Sequence, residues 1–194
     1  TWYDPNPFQP SWENPIAYMY GPDQQTIENR ILGSIYAEIA FLKHFTLRTK
    51  VGSNIDNSQW DYYLDPFRTN YGRVNNGIGR SNKWAGFTWL WENTLDYPRS
   101  FGKHNVTGLI GNSMQKYQGN NTYMEGTDFP DDVSVKTLNA ANTITGNTSR
   151  DEWALSSFFG RATYDYAGKY YLTVSVRHDG SSKLAEPWGT MPSF

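Results

Sequence analysis

WALSSFFGRATYDYAGKYYLTVSVRHDGSS, residues 153–182, reads as two alternating strands and the turn between them. In the second strand Tyr170, Leu172, Val174 and Val176 fall on one side, and Tyr171, Thr173, Ser175 and Arg177 on the other. That is a period of two, the signature of a β-strand. In the first, Phe158, Gly160, Ala162, Tyr164 and Tyr166 share a face, opposite Ser157, Arg161, Thr163 and Asp165. Only Ala167, Gly168 and Lys169 separate the two runs, so the connection is an antiparallel hairpin with Gly168 supplying a positive φ.

A sheet with one face in water and one on a core also alternates. Two further features favour a membrane barrel over a sandwich. Each strand runs to about ten residues, where soluble strands average five or six. Tyr164, Tyr166, Tyr170 and Tyr171 crowd the turn end of the hairpin, as tyrosines do where an apolar band meets water.

The chain has 194 residues, a net charge of −2, 16% aromatic and 19% charged residues, and a mean hydropathy of −0.70. One domain is the expectation at this length. No run approaches the roughly eighteen apolar residues of a membrane-spanning helix, whereas a β-barrel needs apolar residues on only half of each strand. Cysteine is absent, which removes disulfides and thiolate metal ligands. With near-neutral charge and no basic run, nucleic acid is not an expected partner. There is no initiator Met, signal peptide or lipidation motif, and WGTMPSF at 188–194 reads as the start of another strand, so an internal piece of a longer protein is expected.

Residues 1–28 carry Pro5, Pro7, Pro10, Pro15 and Pro22 and read as a loop. Residues 29–42 fit a helix through Ile31, Ile35 and Ile39, and also a strand face that adds Gly33, Ala37 and Phe41. The strand reading wins because FTLRTKVGSNI alternates directly afterwards, which makes a hairpin turning at Lys43 and His44. Residues 57–84 show no sustained period and read as a long loop. AGFTWLWENTLDY alternates again, with Phe87, Trp89, Trp91, Leu95 and Tyr97 on one face. The link PRSFGKH, 98–104, leads to a weaker strand in NVTGLIGNSMQKY, and 118–152 reads as a second long loop.

Connections therefore alternate: short at 43–44, long at 57–84, short at 98–104, long at 118–152, short at 167–169. Transmembrane barrels have this pattern, with tight periplasmic turns and elaborated outer loops. The expected fold is all-β: about six strands and part of a seventh in the wall of a large antiparallel transmembrane β-barrel, too few to close around a wide lumen by themselves.

With the strands placed, RILGSIYAEIAFLKHFTLRTKVG, WENTLDYPRSFGKHNVTGLIGNSMQKY, FPDDVSVKTLNAAN, SSFFGRATYDYAGKYYLTVSVRHDGSSK and WGTMPSF resemble, in order and spacing, the SusC/RagA family of TonB-dependent outer-membrane transporters of Bacteroidetes. The resemblance runs from about residue 28 to the end. It implies a plugged barrel of about 22 strands in the outer-membrane lipid of a Gram-negative bacterium. It implies import of oligosaccharides or peptides driven by TonB, beneath a SusD-like surface lipoprotein. The plug, the TonB-contacting segment and the closing C-terminal strands of the family have no counterpart in these residues. A soluble all-β glycan-binding module is the alternative, and a second sheet packed on the apolar strand faces would distinguish it.

The candidate substrate-binding residues are aromatics assigned to the long loops: Trp60, Tyr62, Tyr63, Tyr71 and Tyr123. Aromatic platforms suit the apolar faces of sugar rings, and packing of the loops on one another is the competing role. His44, His104 and His178 are too dispersed for a metal site and read as interfacial or turn residues. Glu92, Asp128, Asp131 and Asp132 show no set separation for glycoside hydrolysis, so neither catalysis nor a cofactor is expected. Arg177 and Asp179 share a face and read as the anchor of a strand end, in a segment recurrent in the family. Trp89 and Trp91 read as lipid-facing or girdle residues. Matches to N-x-[ST] at Asn105, Asn120 and Asn147 read as chance in an Asn- and Thr-rich chain.

Overall fold

A computed structural model describes residues 15–130 and 135–194. Helix α1 (Pro15–Tyr20) precedes strands β1 (Pro22–Phe41) and β2 (Phe45–Leu64). Helix α2 (Asn70–Val74) leads to β3 (Ile78–Phe101) and β4 (His104–Thr127). A 3-10 turn at Leu138–Ala140 leads to β5 (Thr143–Tyr166), β6 (Tyr170–Ser181) and β7 (Trp188–Ser193). The strands form one seven-stranded sheet in sequence order, the antiparallel meander that the short turns require.

The 153–182 hairpin is antiparallel and turns at 167–169, as expected. Phe158 pairs with His178, Gly160 with Val176, Ala162 with Val174, Tyr164 with Leu172 and Tyr166 with Tyr170. Gly168 lies at φ 67°, beside Ala167 at 55°. The β1–β2 turn at 42–44 uses positive φ at Leu42 and Lys43, and residues 29–42 are strand.

Several elements are longer than the sequence pattern indicates. Residues 22–28 belong to β1, with Pro22 at the first strand position, where a missing donor is tolerated. Pro15 likewise opens α1, where its absent N–H has no helical partner to lose, and the prolines of residues 1–14 lie outside the described residues. The loops expected at 57–84 and 118–152 contract to 65–77 and 128–142, because β2, β3, β4 and β5 run into them. The link at 98–104 contracts to Gly102 and Lys103. In these extensions both faces are polar or mixed, so pairing with neighbouring strands, not amphipathic alternation, holds the backbone extended.

The chain divides into two compact units, and strands β1 to β5 contribute residues to both. The unit of Ile31–Ile55, Gly86–Gln118 and Asp151–Phe194 contains the short turns. On one of its faces Ile31, Ile35, Ile39, Leu172, Val174 and Val176 are all exposed, not covered by a second sheet. On the other, Arg48 bonds Glu38 at 2.6 Å and lies over Tyr36. Arg177 bonds Asp179 at 2.7 Å and Ser157 at 3.1 Å, with its guanidinium over Phe159.

The RHDG segment thereby gains a structural account. Arg177 and Asp179 pair on the polar face, while His178 stacks on Trp188 of β7 with centroids 4.8 Å apart. Gly180 is paired with Trp188, and a Cβ there would meet the indole at 2.9 Å. Gly180→Ala is expected to displace Trp188 at a cost of about 1–3 kcal/mol, read as a lowered melting temperature. An unchanged melting temperature would show that the indole relocates freely.

The unit of Thr1–Arg30, Asp56–Ala85 and Gly119–Arg150 has its own small core. Phe129 and Ile78 are each 1% exposed, with Leu64 and Tyr63 beside them in the buried set. Phe129 meets Tyr63 edge to face at 5.2 Å. Its ring also lies so close over Gly77 and Gly79 that added Cβ atoms would be 3.1 and 2.9 Å away. Backbone bonds from Asp128 N to Asn75 O and from Phe129 N to Asn76 O, 3.0 and 2.8 Å, join the 65–77 and 128–142 connections. The Asp128 carboxylate accepts from Asn76 at 2.7 Å and from Asn142 at 3.1 Å. These two bonds, Asn76 first, hold the Asp128 carboxyl below the usual range.

Candidate functional site

Within this second unit, three of the five aromatics singled out in the sequence, Tyr62, Tyr71 and Tyr123, contact one ion pair, and a fourth, Trp60, lies beside Tyr62. Strand β2 presents Trp60 and Tyr62 on the same face because side chains alternate. Their rings sit 5.7 Å apart, tilted by 30°. Strand β3 brings Arg80 to that face, with its guanidinium carbon 5.6 Å from the Tyr62 centroid, within cation–π reach. Strand β4 brings Tyr123 and Glu125, two residues apart and so on one face.

Arg80 Nε donates to Glu125 Oε2 at 2.7 Å. The Tyr123 hydroxyl donates to the same oxygen at 3.0 Å. From α2 the Tyr71 hydroxyl accepts from Arg80 Nη2 at 3.2 Å. The Arg80 bond, chiefly, lowers the Glu125 pKa against an opposing effect of burial. For Arg80 burial is the largest influence and acts downward, but the bonds to Glu125 and Tyr71 outweigh it and the net shift is upward. Burial raises the Tyr62 and Tyr123 phenols, so both stay protonated hydrogen-bonding groups at neutral pH.

The placement corrects the sequence reading in two respects. Trp60, Tyr62 and Tyr63 lie on β2 and Tyr123 on β4, so only Tyr71 is in a connection. Tyr63 points to the opposite face and is 5% exposed against Phe129, which commits its ring to the core. Arg80 and Glu125 escape a search for aromatics. The signal for Glu125 is its i, i+2 spacing from Tyr123, legible only once the strand is known to extend that far.

The remaining candidates are each held by separate neighbours. His44 contacts Arg99, His104 Nδ1 bonds the Tyr164 hydroxyl at 2.7 Å, and His178 Nδ1 bonds Thr190 at 2.8 Å. Among the described residues no group of three or more His, Asp or Glu could hold a metal ion. Glu92 lies on β3, Asp128 is engaged by two asparagines, and Asp131 and Asp132 lie outside the described residues. Asn105, Asn120 and Asn147 are all strand residues, and Asn105 donates to Asp165. Trp89 and Trp91 are on β3, where the Trp91 indole bonds the Thr49 hydroxyl at 3.2 Å.

An antiparallel meander of strands up to 24 residues long, with an exposed apolar face and an opposite face of paired charges, has the architecture of a segment of a transmembrane β-barrel wall. No family model matches the chain. The TonB-dependent receptor P39 of Formosa agariphila is 31% identical over 192 residues, 93% of this chain and 18% of that receptor. The TonB-dependent receptor SusC of Bacteroides thetaiotaomicron is 26% identical over 208 residues, 99% of this chain and 19% of the receptor. A solved structure of the RagAB peptide transporter matches with a TM-score of 0.82 at 22% identity, over 93% of this chain and 20% of that one. That last likeness is one of fold. The chain is thus similar to TonB-dependent receptors, SusC among them, and it spans 18–19% of the length of these curated relatives.

Proposed function

We propose that this chain forms part of the wall of an outer-membrane, TonB-dependent importer of oligosaccharides or peptides, working with a SusD-like surface lipoprotein. The observation that carries the reading is the similarity to TonB-dependent receptors along nearly the whole chain. The exposed apolar strand face supports it over a water-soluble glycan-binding module, whose sheet would need that face covered. In this reading Trp60 and Tyr62 form a stacking surface for the apolar faces of sugars or for peptide side chains. Arg80, Glu125, Tyr71 and Tyr123 surround it with hydrogen-bonding groups already held in place by one another, which lowers the ordering cost of binding.

The test is uptake of labelled oligosaccharide and peptide mixtures by cells carrying the full-length receptor. Import is expected to require TonB, and the Trp60→Ala/Tyr62→Ala double variant is expected to bind its substrate about tenfold or more weakly. Uptake that persists without TonB sinks the importer reading. Wild-type binding by a correctly assembled double variant sinks the site.

A further inference from the structure

In the unit that contains the short turns, each turn carries one lysine: Lys43 between β1 and β2, Lys103 between β3 and β4, and Lys169 between β5 and β6. In a sheet whose strands follow sequence order, these three turns lie at the same end. Two are joined directly, since Ala167 N donates to Lys103 O at 2.7 Å. All three lysines are exposed, and among the described residues none has a side-chain partner. The nearest acid in the sequence, Asp165, is engaged instead by Asn105 at 2.8 Å and by Gly168 N at 3.3 Å.

Behind each turn stands a cluster of rings. Phe45 lies 5.6 Å from Phe41 and 4.7 Å from Tyr97. His104 stacks on Phe101 at 5.4 Å and meets Tyr166 at 4.9 Å, and Tyr166 stacks on Tyr170. Such a belt settles at the level of lipid headgroups. Lysines directly beyond it reach into the phosphate layer, where their charge is uncompensated by the protein.

We propose that the short-turn end of this sheet is a docking rim for anionic phospholipid headgroups, with Lys43, Lys103 and Lys169 as the phosphate-binding groups. The proposal rests on the membrane reading above and adds a lipid preference to it. Charge complementarity selects the occupant: three unpaired cations next to an aromatic belt fit an anionic headgroup better than a zwitterionic one, whose own ammonium opposes them. An attraction of about 1 kcal/mol per lysine near an anionic surface corresponds to roughly fivefold in relative affinity at each turn.

The experiment equilibrates the full-length receptor in neutral detergent with equal amounts of phosphatidylglycerol and phosphatidylcholine, then counts retained lipids by native mass spectrometry. The wild type is expected to enrich phosphatidylglycerol about fivefold per site. The Lys43→Gln/Lys103→Gln/Lys169→Gln variant is expected to lose that enrichment while melting in detergent as the wild type does, and the Lys→Arg triple variant to retain it. Equal retention of the two lipids by the wild type, or undiminished enrichment in the Gln variant, overturns the proposal. Enrichment abolished by millimolar inorganic phosphate overturns the lipid as the source of the phosphate. A receptor that needs no detergent fails earlier, at the membrane reading, and is recognised as such by its solubility.

Discussion

Phe129→Ala is expected to destabilise the junction of the two long connections by about 3–5 kcal/mol, the range for removing a fully buried phenyl ring. Phe129 is 1% exposed and fills the space between Tyr63 and the glycine backbone at Gly77 and Gly79. Because those glycines have no side chains to collapse inward, the variant leaves a void instead of a repacked core. The loss is local. Strand pairing elsewhere does not depend on the ring, so the measurement is hydrogen exchange at individual amides, not global melting. The amides of Asp128 and Phe129, bonded to Asn75 and Asn76, are expected to exchange at least about a hundredfold faster. Phe129→Leu keeps most of the volume and is expected to cost less than about 1.5 kcal/mol. Unchanged exchange in the Ala variant would mean that the hydrogen bonds centred on Asp128 hold the junction without the ring.

That junction bears directly on the candidate site, because the 65–77 connection carries Tyr71 to Arg80. A connection held by a buried ring, by Asp128 and by backbone bonds to the neighbouring connection presents its tyrosine in a fixed place. The paired charges and phenols around Trp60 and Tyr62 are therefore a preorganised wall, not a mobile lid.

What could be read from sequence follows from where alternation is physically enforced. In 153–182 one strand face is apolar and the other polar, so the period of two is explicit and the three-residue link at 167–169 closes the hairpin. In 57–64, 78–84 and 118–127 polar residues fall on both faces, as Ser58 and Gln59, Arg80 and Ser81, and Asn120 and Asn121 do. No contrast marks the period, and the segments resemble loops although they pair as strands. The same blurring affects the site. Trp60, Tyr62, Tyr71 and Tyr123 stand out by residue type, but their convergence depends on three strands in register. Arg80, in GIGRSNKW, has nothing local to distinguish it from a loop arginine. Tyr63 is misleading for a related reason: adjacent to Tyr62, it shares its composition but not its face.

The second large effect comes from adding a single carbon. Gly72→Ala places a Cβ 2.1 Å from the Asp65 carbonyl oxygen and 3.0 Å from the Thr69 hydroxyl. Neither neighbour is free to yield. Thr69 caps α2 through its bond from Gly72 N at 2.9 Å. Asp65 is fixed by bonds from the amides of Phe67 and Arg68 at 2.8 and 2.9 Å and by the Arg68 guanidinium at 3.0 Å. Since the overlap is with backbone, rotamer change cannot relieve it, and the cost is expected at about 3 kcal/mol, the upper end for overpacking. The strain falls on a five-residue helix with little cooperativity of its own, so α2 is expected to shift and carry Tyr71 away from Arg80. Two measurements separate this from a general loss of fold. Exchange at the Arg73 and Asn75 amides, bonded to Thr69 and Tyr71, is expected to rise about a hundredfold. Substrate binding is expected to weaken at least as much as in Tyr71→Phe, which removes only the phenol and leaves α2 protected. If Gly72→Ala keeps both the protection and the binding, the packing of α2 against Asp65 is looser than its geometry implies and Tyr71 is not positioned by it. If protection falls while binding is unchanged, Tyr71 is a structural tether only, and the proposed substrate surface reduces to Trp60, Tyr62 and the Arg80–Glu125 pair.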